Sequence, residues 1–356
     1  MKRFTRIAHL ALIVLLISLL AACGSGNNAD NGGNNGTAAA SNDGGTAAAS
    51  NNGNGSQTTT DEGAANGADT GSNDSSAQNA GDDAAARVMK DAMGHEVQVP
   101  AHPQRVLAPF MEDPLAALGM QPVAQWGAAG VPQQYLQDKL KDVPVLNMEG
   151  GLKPEEALSY KPDLIIFLAP TYLANGSYDQ FAKIAPTFVL SDNEADWRGN
   201  LEKLGTLLGD EDAAKAALAA YDQQVADAKS TLGSLPSEKT AVLMQADGEK
   251  GFKLFGPNFY GGETLYKTLG FQQPAVLKGD YDTYSIESLA DLKDVDYIFV
   301  ISGPGRGKPP VDNTLWKSLS AVKNNRVFDA DSGHWFNANA IANGLIIADV
   351  LKDVHE

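Results

Sequence analysis

The chain has 356 residues, of which 43% are hydrophobic and 20% are charged, and its formal net charge is −17. A surface this acidic argues against nucleic acid as a partner and against direct adsorption to anionic lipid. Cys23 is the single cysteine, so the sequence offers neither a disulfide nor a thiolate metal site.

The first 22 residues have the three-part pattern of a secretory signal peptide. Lys2, Arg3 and Arg6 precede an apolar stretch over residues 7–20, and small residues then lead to Cys23. The stretch is shorter than the roughly 20 apolar residues that a transmembrane helix needs. The Leu-Ala-Ala-Cys sequence ending at Cys23 resembles a bacterial lipobox, which implies cleavage before Cys23 and a lipid on its sulfur. An ordinary signal peptide that ends near a cysteine is the alternative.

Residues 23–86 are predicted to form the lipidated cysteine and a linker. After Cys23 this segment is built mainly from Gly, Asn, Ala, Ser, Thr and Asp, without any aromatic or basic residue. A segment with so little to bury is expected to stay disordered. As a flexible coil it has a root-mean-square reach of about 45 Å, which keeps the folded part close to the membrane.

The remaining chain carries a weak internal repeat. Glu112 lies seven residues before Gly119, and Glu263 lies seven residues before Gly270, so each glutamate is predicted to begin a short helix that ends at a glycine. Each half then continues into an apolar run typical of a strand buried on both faces: residues 164–167 and 297–300. The shared order of elements predicts two α/β lobes with Rossmann-like sheets.

Between the lobes, the chain has a composition typical of a long helix. It lacks proline from Trp197 to Leu232, and apolar residues recur near helical spacing. Gly205 and Gly209 weaken the first part of this pattern, which allows a break near Asp210. The predicted boundaries are residues 87–195 for the N-terminal lobe, 196–236 for a connecting helix and 237–356 for the C-terminal lobe.

Several short motifs occur in order along residues 87–356. They are Pro103-Gln104-Arg105-Val106, residues 112–123 ending in Leu-Gly-Met-Gln-Pro-Val, Lys161-Pro162-Asp163-Leu164-Ile165, Trp197-Arg198, Gly261-Gly262-Glu263-Thr264-Leu265-Tyr266 and Asn324-Asn325-Arg326-Val327. In order and spacing they resemble the bacterial solute-binding lipoproteins that serve ATP-driven importers of ferric siderophores, whose relatives bind cobalamin or haem. The resemblance implies two α/β lobes joined by one rigid helix, with the ligand in the cleft between them.

The resemblance also implies a function. We expect a binding protein, not an enzyme, that captures an iron(III)-siderophore and delivers it to an ABC permease dimer with a cytoplasmic ATPase. Hydroxamate or citrate-type siderophores are the first expectation, and cobalamin or haem is the alternative within the same fold. An extracellular hydrolase or an adhesion module is the alternative from another class. The protein is expected to be a monomer without a cofactor, held on the outer face of the cell membrane by its lipid anchor.

Two acids are candidates for docking to the permease. In the family that the chain resembles, one carboxylate on each lobe meets an arginine of a permease subunit, and the matching residues are Glu112 and Glu263. Asp113 adjoins Glu112 and is the alternative at the first position. An arginine–carboxylate pair fixes the orientation of the two proteins and also attracts them to each other. Solvated acids at helix N-termini, where the helix dipole favours negative charge, are the structural alternative.

The ligand contacts are expected to combine aromatic walls with basic or phenolic donors, because a ferric siderophore is a bulky, oxygen-rich chelate. Arg306 follows a predicted strand, and ligands of open α/β sheets bind beyond the carboxyl ends of strands. The alternative for each aromatic candidate is that it belongs to the hydrophobic core and does not contact ligand. The candidates are Trp126, Tyr172, Trp197, Arg198, Phe255, Tyr260, Tyr281, Tyr284, Arg306 and Trp335.

A direct metal site is not expected. The histidines beyond the signal peptide form no His-x-x-His pair, and they are His95, His102, His334 and His355. Any iron should therefore arrive already chelated. Bare ferric iron bound by Tyr281 and Tyr284 is the alternative.

Overall fold

The structure is a computed structural model that describes residues 86–173 and 176–355. The predicted signal peptide, Cys23 and the predicted linker up to residue 85 lie outside the described residues. No helix in the described part is both long and apolar enough to cross a membrane. The described residues fall within one compact unit, residues 77–356, which contains both lobes.

The N-terminal lobe is built on a three-stranded parallel sheet with two short antiparallel hairpins. Its strands are β1 Arg87–Lys90, β2 Glu96–Val99, β3 Val106–Leu107, β4 Gly127–Ala128, β5 Val131–Pro132, β6 Leu164–Phe167 and β7 Thr187–Val189. The parallel sheet has the order β3-β6-β7, while β1 pairs with β2 and β4 pairs with β5. All residues of β6 are buried, which confirms the prediction of a strand covered on both faces.

Short helices cover this sheet. They are α1 Glu112–Ala117, α2 Gln137–Leu140, α3 Pro154–Ser159 and α4 Tyr178–Ala182, with 3-10 turns at Gln134–Leu136 and Pro170–Leu173. As predicted, α1 begins at Glu112 and the chain leaves it through Gly119. Gly119 has a φ of 78°, in the left-handed region that glycine adopts without steric cost.

Two helices connect the lobes: α5 Trp197–Leu208 and α6 Glu211–Leu232. They are separated at the predicted position, where Gly209 has a φ of 75° and the Asp210 carboxylate accepts from the Ala213 amide. A Cβ at Gly205 would lie only 2.6 Å from that of Ala214, so glycine allows the two helices to approach closely. At 1.5 Å per residue, α6 alone is about 33 Å long, and it is the main connecting element.

The C-terminal lobe contains a five-stranded mixed sheet. Its strands are β8 Ala241–Ala246, β9 Gly251–Phe255, β10 Tyr281–Ser285, β11 Tyr297–Ser302 and β12 Val327–Asp331. The order is β10-β9-β8-β11-β12. β11 pairs in parallel with β8 and with β12, whereas β9 is antiparallel to both of its neighbours. The buried run predicted from the sequence is β11, at the parallel centre of this sheet.

Helices pack around this second sheet. They are α7 Leu235–Glu238, α8 Thr314–Ser318, α9 Ser320–Lys323, α10 Ser332–Trp335 and α11 Ala340–His355, with 3-10 turns at Gly248–Lys250 and Ile286–Leu292 and a π-helical turn at Glu263–Thr268. Glu263 begins the π-helical turn, and Gly270 follows it with a φ of 90°. The repeat predicted from Glu112 and Glu263 is therefore present in both lobes.

The last helix, α11, ties the C-terminal lobe to the rest of the molecule. It packs against α6 and against α1 of the N-terminal lobe. The Gln224 side chain of α6 donates to the Gly344 carbonyl oxygen of α11 at 2.7 Å. One apolar core runs through both lobes and the connecting helices, and includes Leu164, Leu218 and Phe299. The lobes are thus joined by a shared core as well as by the connecting helices.

Candidate functional site

Residues that follow the carboxyl ends of strands form much of the candidate cleft. In the N-terminal lobe, Phe110 follows β3, Tyr172 follows β6 and Glu194 follows β7. In the C-terminal lobe, Arg306 follows β11 and Phe336 comes after β12 and α10. This is the edge of an α/β sheet at which ligands bind.

An aromatic wall lies on the N-terminal lobe. The ring centroid of Phe110 lies 4.9 Å from that of Trp126 and 5.0 Å from that of Tyr172. Phe110 has a φ of 69°, a conformation that costs a non-glycine residue about 1–3 kcal/mol. Trp126 and Tyr172 were predicted contacts, whereas Phe110 was missed. Its place three residues beyond the end of β3 is the signal that would have found it.

A second aromatic wall lies on the C-terminal lobe. The Tyr260 ring lies 4.5 Å from Phe259 and 5.1 Å from Phe336, and Phe255 lies 5.4 Å from both Phe336 and Tyr281. Tyr260 is 39% exposed and Tyr281 is 43% exposed, whereas Phe255 is buried beneath them. The structure thus brings together three predicted candidates and adds Phe259 and Phe336.

The phenols of the two walls are linked electrostatically. Burial and the neighbouring Glu194 carboxylate raise the pKa of the Tyr172 phenol to about 12, and Tyr260 of the other lobe adds to this rise. Tyr260 also has a strained backbone, with a φ of 49°. Strained aromatic residues therefore occur on both sides of the cleft.

Arg306 is the basic group of the C-terminal wall. Its guanidinium carbon lies 4.5 Å from the centre of the Phe336 ring, close enough for a cation–π contact. The side chain is exposed on the loop after β11. Among the described residues, no carboxylate forms a salt bridge with it. The guanidinium donors thus remain available to an oxygen-rich ligand.

A cavity of about 660 Å³ adjoins the N-terminal wall. Trp126 lines it together with residues 127–130, which include the turn between β4 and β5, and residues 145–149. All of these residues belong to the N-terminal lobe. The cavity is therefore a side chamber next to Trp126, distinct from the space between the two walls.

The structure corrects two aromatic candidates, because both belong to the core. Trp335 is 0% exposed, stacks on Phe299 at 5.2 Å and donates its indole N–H to the Asp349 carboxylate at 2.9 Å. Trp197 is buried with its edge against Tyr221, at a centroid distance of 5.1 Å. Neither ring reaches the cleft, and the residue after Trp335, Phe336, belongs to the wall instead.

Two further candidates have other local partners. Arg198 pairs with the Asp222 carboxylate of α6 and lies 5.2 Å from the Trp197 ring, so it fastens α5 to α6. Tyr284 stacks on Phe252 at 5.4 Å and donates to the Val276 carbonyl oxygen at 3.1 Å. The structure therefore does not group either residue with the aromatic walls.

Asp113 is a buried link between the lobes. Its carboxylate accepts from the backbone amides of Ile341 at 3.1 Å and Ala342 at 2.9 Å, and from the Tyr135 hydroxyl at 3.0 Å. An N-terminal-lobe side chain thus satisfies free amides in the first turn of α11. At 2% exposure, the carboxylate is not presented to a permease, which corrects its expected docking role.

Glu112 is also internal, at 1% exposure. One carboxylate oxygen accepts from the Trp126 amide at 2.6 Å, and the other has no hydrogen-bond partner among the described residues. Burial raises the pKa of this carboxyl from 4.5 to about 7, although the bond from Trp126 opposes the rise. In this structure Glu112 supports the N-terminal wall from behind. It too is corrected as a docking residue, because it does not reach the surface.

Glu263 differs from both of these acids. Its side chain is half-buried at the start of the π-helical turn. Burial raises the pKa of its carboxyl, and Lys267 partly opposes that change. Of the three docking candidates, Glu263 is the one that retains access to solvent.

The described residues contain no group of three or more His, Cys, Asp or Glu side chains that could hold a metal ion. The two histidines with an acid partner use it locally. His95 contacts Asp91 at 3.0 Å, and His334 contacts Asp349 at 2.6 Å. The cleft instead offers aromatic faces, phenols and one free guanidinium, a set suited to an organic, oxygen-rich ligand.

Comparison with known proteins identifies the class. Residues 106–333 match the family described as periplasmic binding protein. The iron(3+)-hydroxamate-binding protein FhuD of Bacillus subtilis is 32% identical over 251 residues, which cover 66% of this chain and 76% of the relative. The Fe(3+)-citrate-binding protein YfmC of the same organism is 32% identical over 284 residues, with coverages of 76% and 86%.

Solved structures share the same architecture. SirA of Staphylococcus aureus, complexed with staphyloferrin B, matches with a TM-score of 0.61 and 25% identity, covering 76% of this chain and 98% of SirA. A Bacillus subtilis periplasmic binding protein of the FhuD fold family matches with a TM-score of 0.61 and 26% identity, covering 75% and 100%. Fold and cleft thus define a two-lobe α/β binding protein. The chain belongs to the family of periplasmic binding proteins.

Proposed function

We propose that this protein captures a ferric siderophore between its lobes and delivers it to an ABC importer. The observation that carries the proposal is the pair of aromatic walls, one on each lobe at the carboxyl ends of its strands, with the free Arg306 guanidinium on the C-terminal wall. Two relatives, the iron(3+)-hydroxamate-binding protein FhuD and the Fe(3+)-citrate-binding protein YfmC, support the same ligand class. Hydroxamate and citrate-type chelates are therefore the first candidates.

The chemistry of the cleft suits iron that is already chelated. A siderophore surrounds Fe³⁺ with its own oxygens, so the protein needs to bind the organic surface and the outward-facing oxygens. Aromatic rings cover the apolar part, and arginine donates to oxygen. In this proposal the protein has no catalytic residue and holds no cofactor of its own.

Delivery requires a tether and a permease contact. Cys23, outside the described residues, would carry a lipid that holds the protein at the outer face of the membrane. Confinement near a permease dimer and its cytoplasmic ATPase raises the effective concentration of the loaded monomer. Glu263 is the accessible carboxylate for an arginine of the permease.

Tryptophan fluorescence tests the ligand assignment. Trp126 lies in the N-terminal wall, while the other tryptophans, Trp197, Trp316 and Trp335, are buried. Titration with ferrichrome, ferrioxamine B and ferric citrate should give saturable quenching with at least one of them. In Trp126→Phe most of the quenching should disappear, while calorimetry still detects binding.

Absence of calorimetric binding with all three chelates would contradict the proposal. Saturable binding of haem or cobalamin under the same conditions would then identify the alternative ligand class of this fold.

A further inference from the structure

Glu194 uses both carboxylate oxygens on the edge of the N-terminal wall. One oxygen accepts from the Thr171 hydroxyl at 3.0 Å, and the other accepts from the Tyr172 hydroxyl at 3.0 Å. Both donors belong to the 3-10 turn Pro170–Leu173, which carries the wall residue Tyr172. Glu194 itself is exposed, so its negative charge acts on any ligand that enters this side of the cleft.

The backbone that carries Glu194 is anchored. The buried Asn200 side chain of α5 donates to the carbonyl oxygens of Asn193 at 3.0 Å and Glu194 at 3.5 Å. The Asn193 amide donates to the Ser191 hydroxyl oxygen at 3.0 Å. The carboxylate is therefore held at a defined place beyond β7, not on a loosely attached loop.

These hydrogen bonds determine which donors, acceptors and charges the N-terminal wall presents to a ligand. The Tyr172 hydroxyl hydrogen is committed to Glu194, so the phenol oxygen is left to accept hydrogen bonds. Burial and the Glu194 carboxylate raise the pKa of the phenol from 10 to about 12, which makes its ionisation harder still and disfavours iron binding by its phenolate. The edge formed by Thr171, Tyr172 and Glu194 thus presents acceptors and a negative charge. Amine, amide or hydroxyl donors suit it, and anionic oxygens are repelled.

The opposite wall has the opposite character. Arg306 stands on the C-terminal side as a cation without a salt-bridge partner among the described residues. A chelate between the walls can turn its iron-bound oxygens towards Arg306 and a donor-bearing periphery towards Glu194. A complex with anionic groups all around its surface cannot satisfy both walls.

We propose that Glu194 sets the charge selectivity of the cleft, favouring uncharged or cationic ferric hydroxamates over anionic carboxylate or catecholate complexes. This inference rests on the proposed function, since it assumes that the cleft binds a ferric chelate. It assigns Glu194 as a specificity-determining residue that acts through its charge and by orienting Tyr172.

Three chelates of different charge test this assignment in calorimetric titrations at low ionic strength. Ferrioxamine B carries a free protonated amine, ferrichrome is uncharged, and ferric citrate is anionic. In Glu194→Gln, which retains an oxygen acceptor for Tyr172, affinity for ferric citrate should rise and affinity for ferrioxamine B should fall, each by about two- to fivefold. Affinity for ferrichrome should change least. The differences should shrink at high salt, because exposed charges are screened.

Asp192→Asn is the matched control. It removes the same charge from the same exposed segment, and Asp192 has no hydrogen bond to Thr171 or Tyr172. Its ratio of ferric citrate to ferrioxamine B dissociation constants should stay close to that of the wild type. A ratio that moves as much as in Glu194→Gln would overturn the assignment, because it would show a general effect of net charge.

The outcomes separate this inference from the proposed function. Wild-type preference for ferric citrate, or an unchanged ratio in Glu194→Gln, would overturn the role of Glu194 while leaving siderophore binding intact. Failure of the wild type to bind any of the three chelates would overturn the proposed function and the selectivity together.

Discussion

Equivalent helix starts in the two lobes place their acids in opposite surroundings. Glu112 and Asp113 begin α1 and are buried, because α11 packs over α1 and its first amides meet Asp113. Glu263 begins the matching turn of the C-terminal lobe and is half-buried. The local pattern, an acid seven residues before a capping glycine, is the same in both. The difference therefore comes from tertiary packing. The N-terminal lobe buries both acids, and Asp113 joins it to α11, whereas the C-terminal lobe leaves Glu263 accessible.

The internal joint also bears on lobe motion. Besides α5 and α6, the contact of Asp113 with Ile341 and Ala342 holds the lobes together. A wide opening of the cleft would leave the amides of Ile341 and Ala342 without their hydrogen-bond acceptor, and this would raise the free energy of the open state. We therefore expect the lobes to change their relative position little when ligand binds.

Asp113→Ala should have the largest effect on stability. The substitution leaves the amides of Ile341 and Ala342 and the hydroxyl of Tyr135 without their acceptor in a buried place. Each such group costs about 1–3 kcal/mol, so the free energy of unfolding should fall by about 3 kcal/mol or more. Urea denaturation followed by circular dichroism measures the change.

Asp212→Ala is the control for this substitution. Asp212 is an exposed acid in the first turn of α6, paired with Lys215 at 3.1 Å. Its loss should change stability by less than about 1 kcal/mol. Equal effects of the two substitutions would mean that Asp113 is not a buried joint.

Glu112→Gln should alter the pH dependence of stability. Burial raises the pKa of Glu112 from 4.5 to about 7, so the folded state holds this proton more tightly than the unfolded chain. The resulting stabilisation is present below pH 4.5 and is lost as the pH rises through 7. Glutamine cannot ionise, so the stability of the variant relative to wild type should rise from pH 5 to pH 8, by up to about 3 kcal/mol.

Denaturation midpoints at several pH values between 5 and 8 measure this difference. Asp113, whose carboxyl also has a pKa raised by burial, is present in both proteins. Its charge contributes to the raised pKa of Glu112, so the difference between the two curves reports the loss of Glu112 together with its effect on Asp113. Glu202→Gln, an exposed change on α5, should give a curve parallel to the wild type. A parallel curve for Glu112→Gln as well would show that Glu112 is ionised at no cost in the folded protein.

The sequence predicts the elements of the fold well because they have strong local signals. The apolar runs at β6 and β11 are buried strands, and Gly119, Gly209 and Gly270 have the left-handed backbone that a glycine after a helix adopts. Periodicity and capping depend on neighbours in the chain, so a single sequence contains them.

The site is predicted less completely because exposure depends on packing between distant segments. Trp335 and Phe336 are adjacent aromatic residues, yet one lies in the core and the other in the cleft wall. Burial of Glu112 results from contacts that residue spacing does not reveal. A position just after the carboxyl end of a strand is the useful signal. It identifies Arg306, and the same criterion applied to every strand also identifies Phe110 and Glu194.

Glu263→Gln should have the smallest effect on stability and should reduce transport. The side chain is half-buried and makes no hydrogen bond to another described residue, so the free energy of unfolding should change by less than about 0.5 kcal/mol. Loss of a charge-assisted contact with a permease arginine should lower uptake about tenfold, while the dissociation constant of the bound chelate stays unchanged. Uptake of iron-55 as its ferrichrome complex, with calorimetry on the purified protein, separates the two effects.

Glu238→Gln, an exposed acid on α7, controls for the loss of one charge from the C-terminal lobe and should leave uptake normal. The same uptake assay on Glu112→Gln decides the comparison between the lobes. Normal uptake in Glu112→Gln with impaired uptake in Glu263→Gln would support one accessible docking acid and one internal pair. Impaired uptake in Glu112→Gln with normal chelate affinity would instead require α1 to expose its carboxylate to the permease, and the two lobes would then dock in the same way.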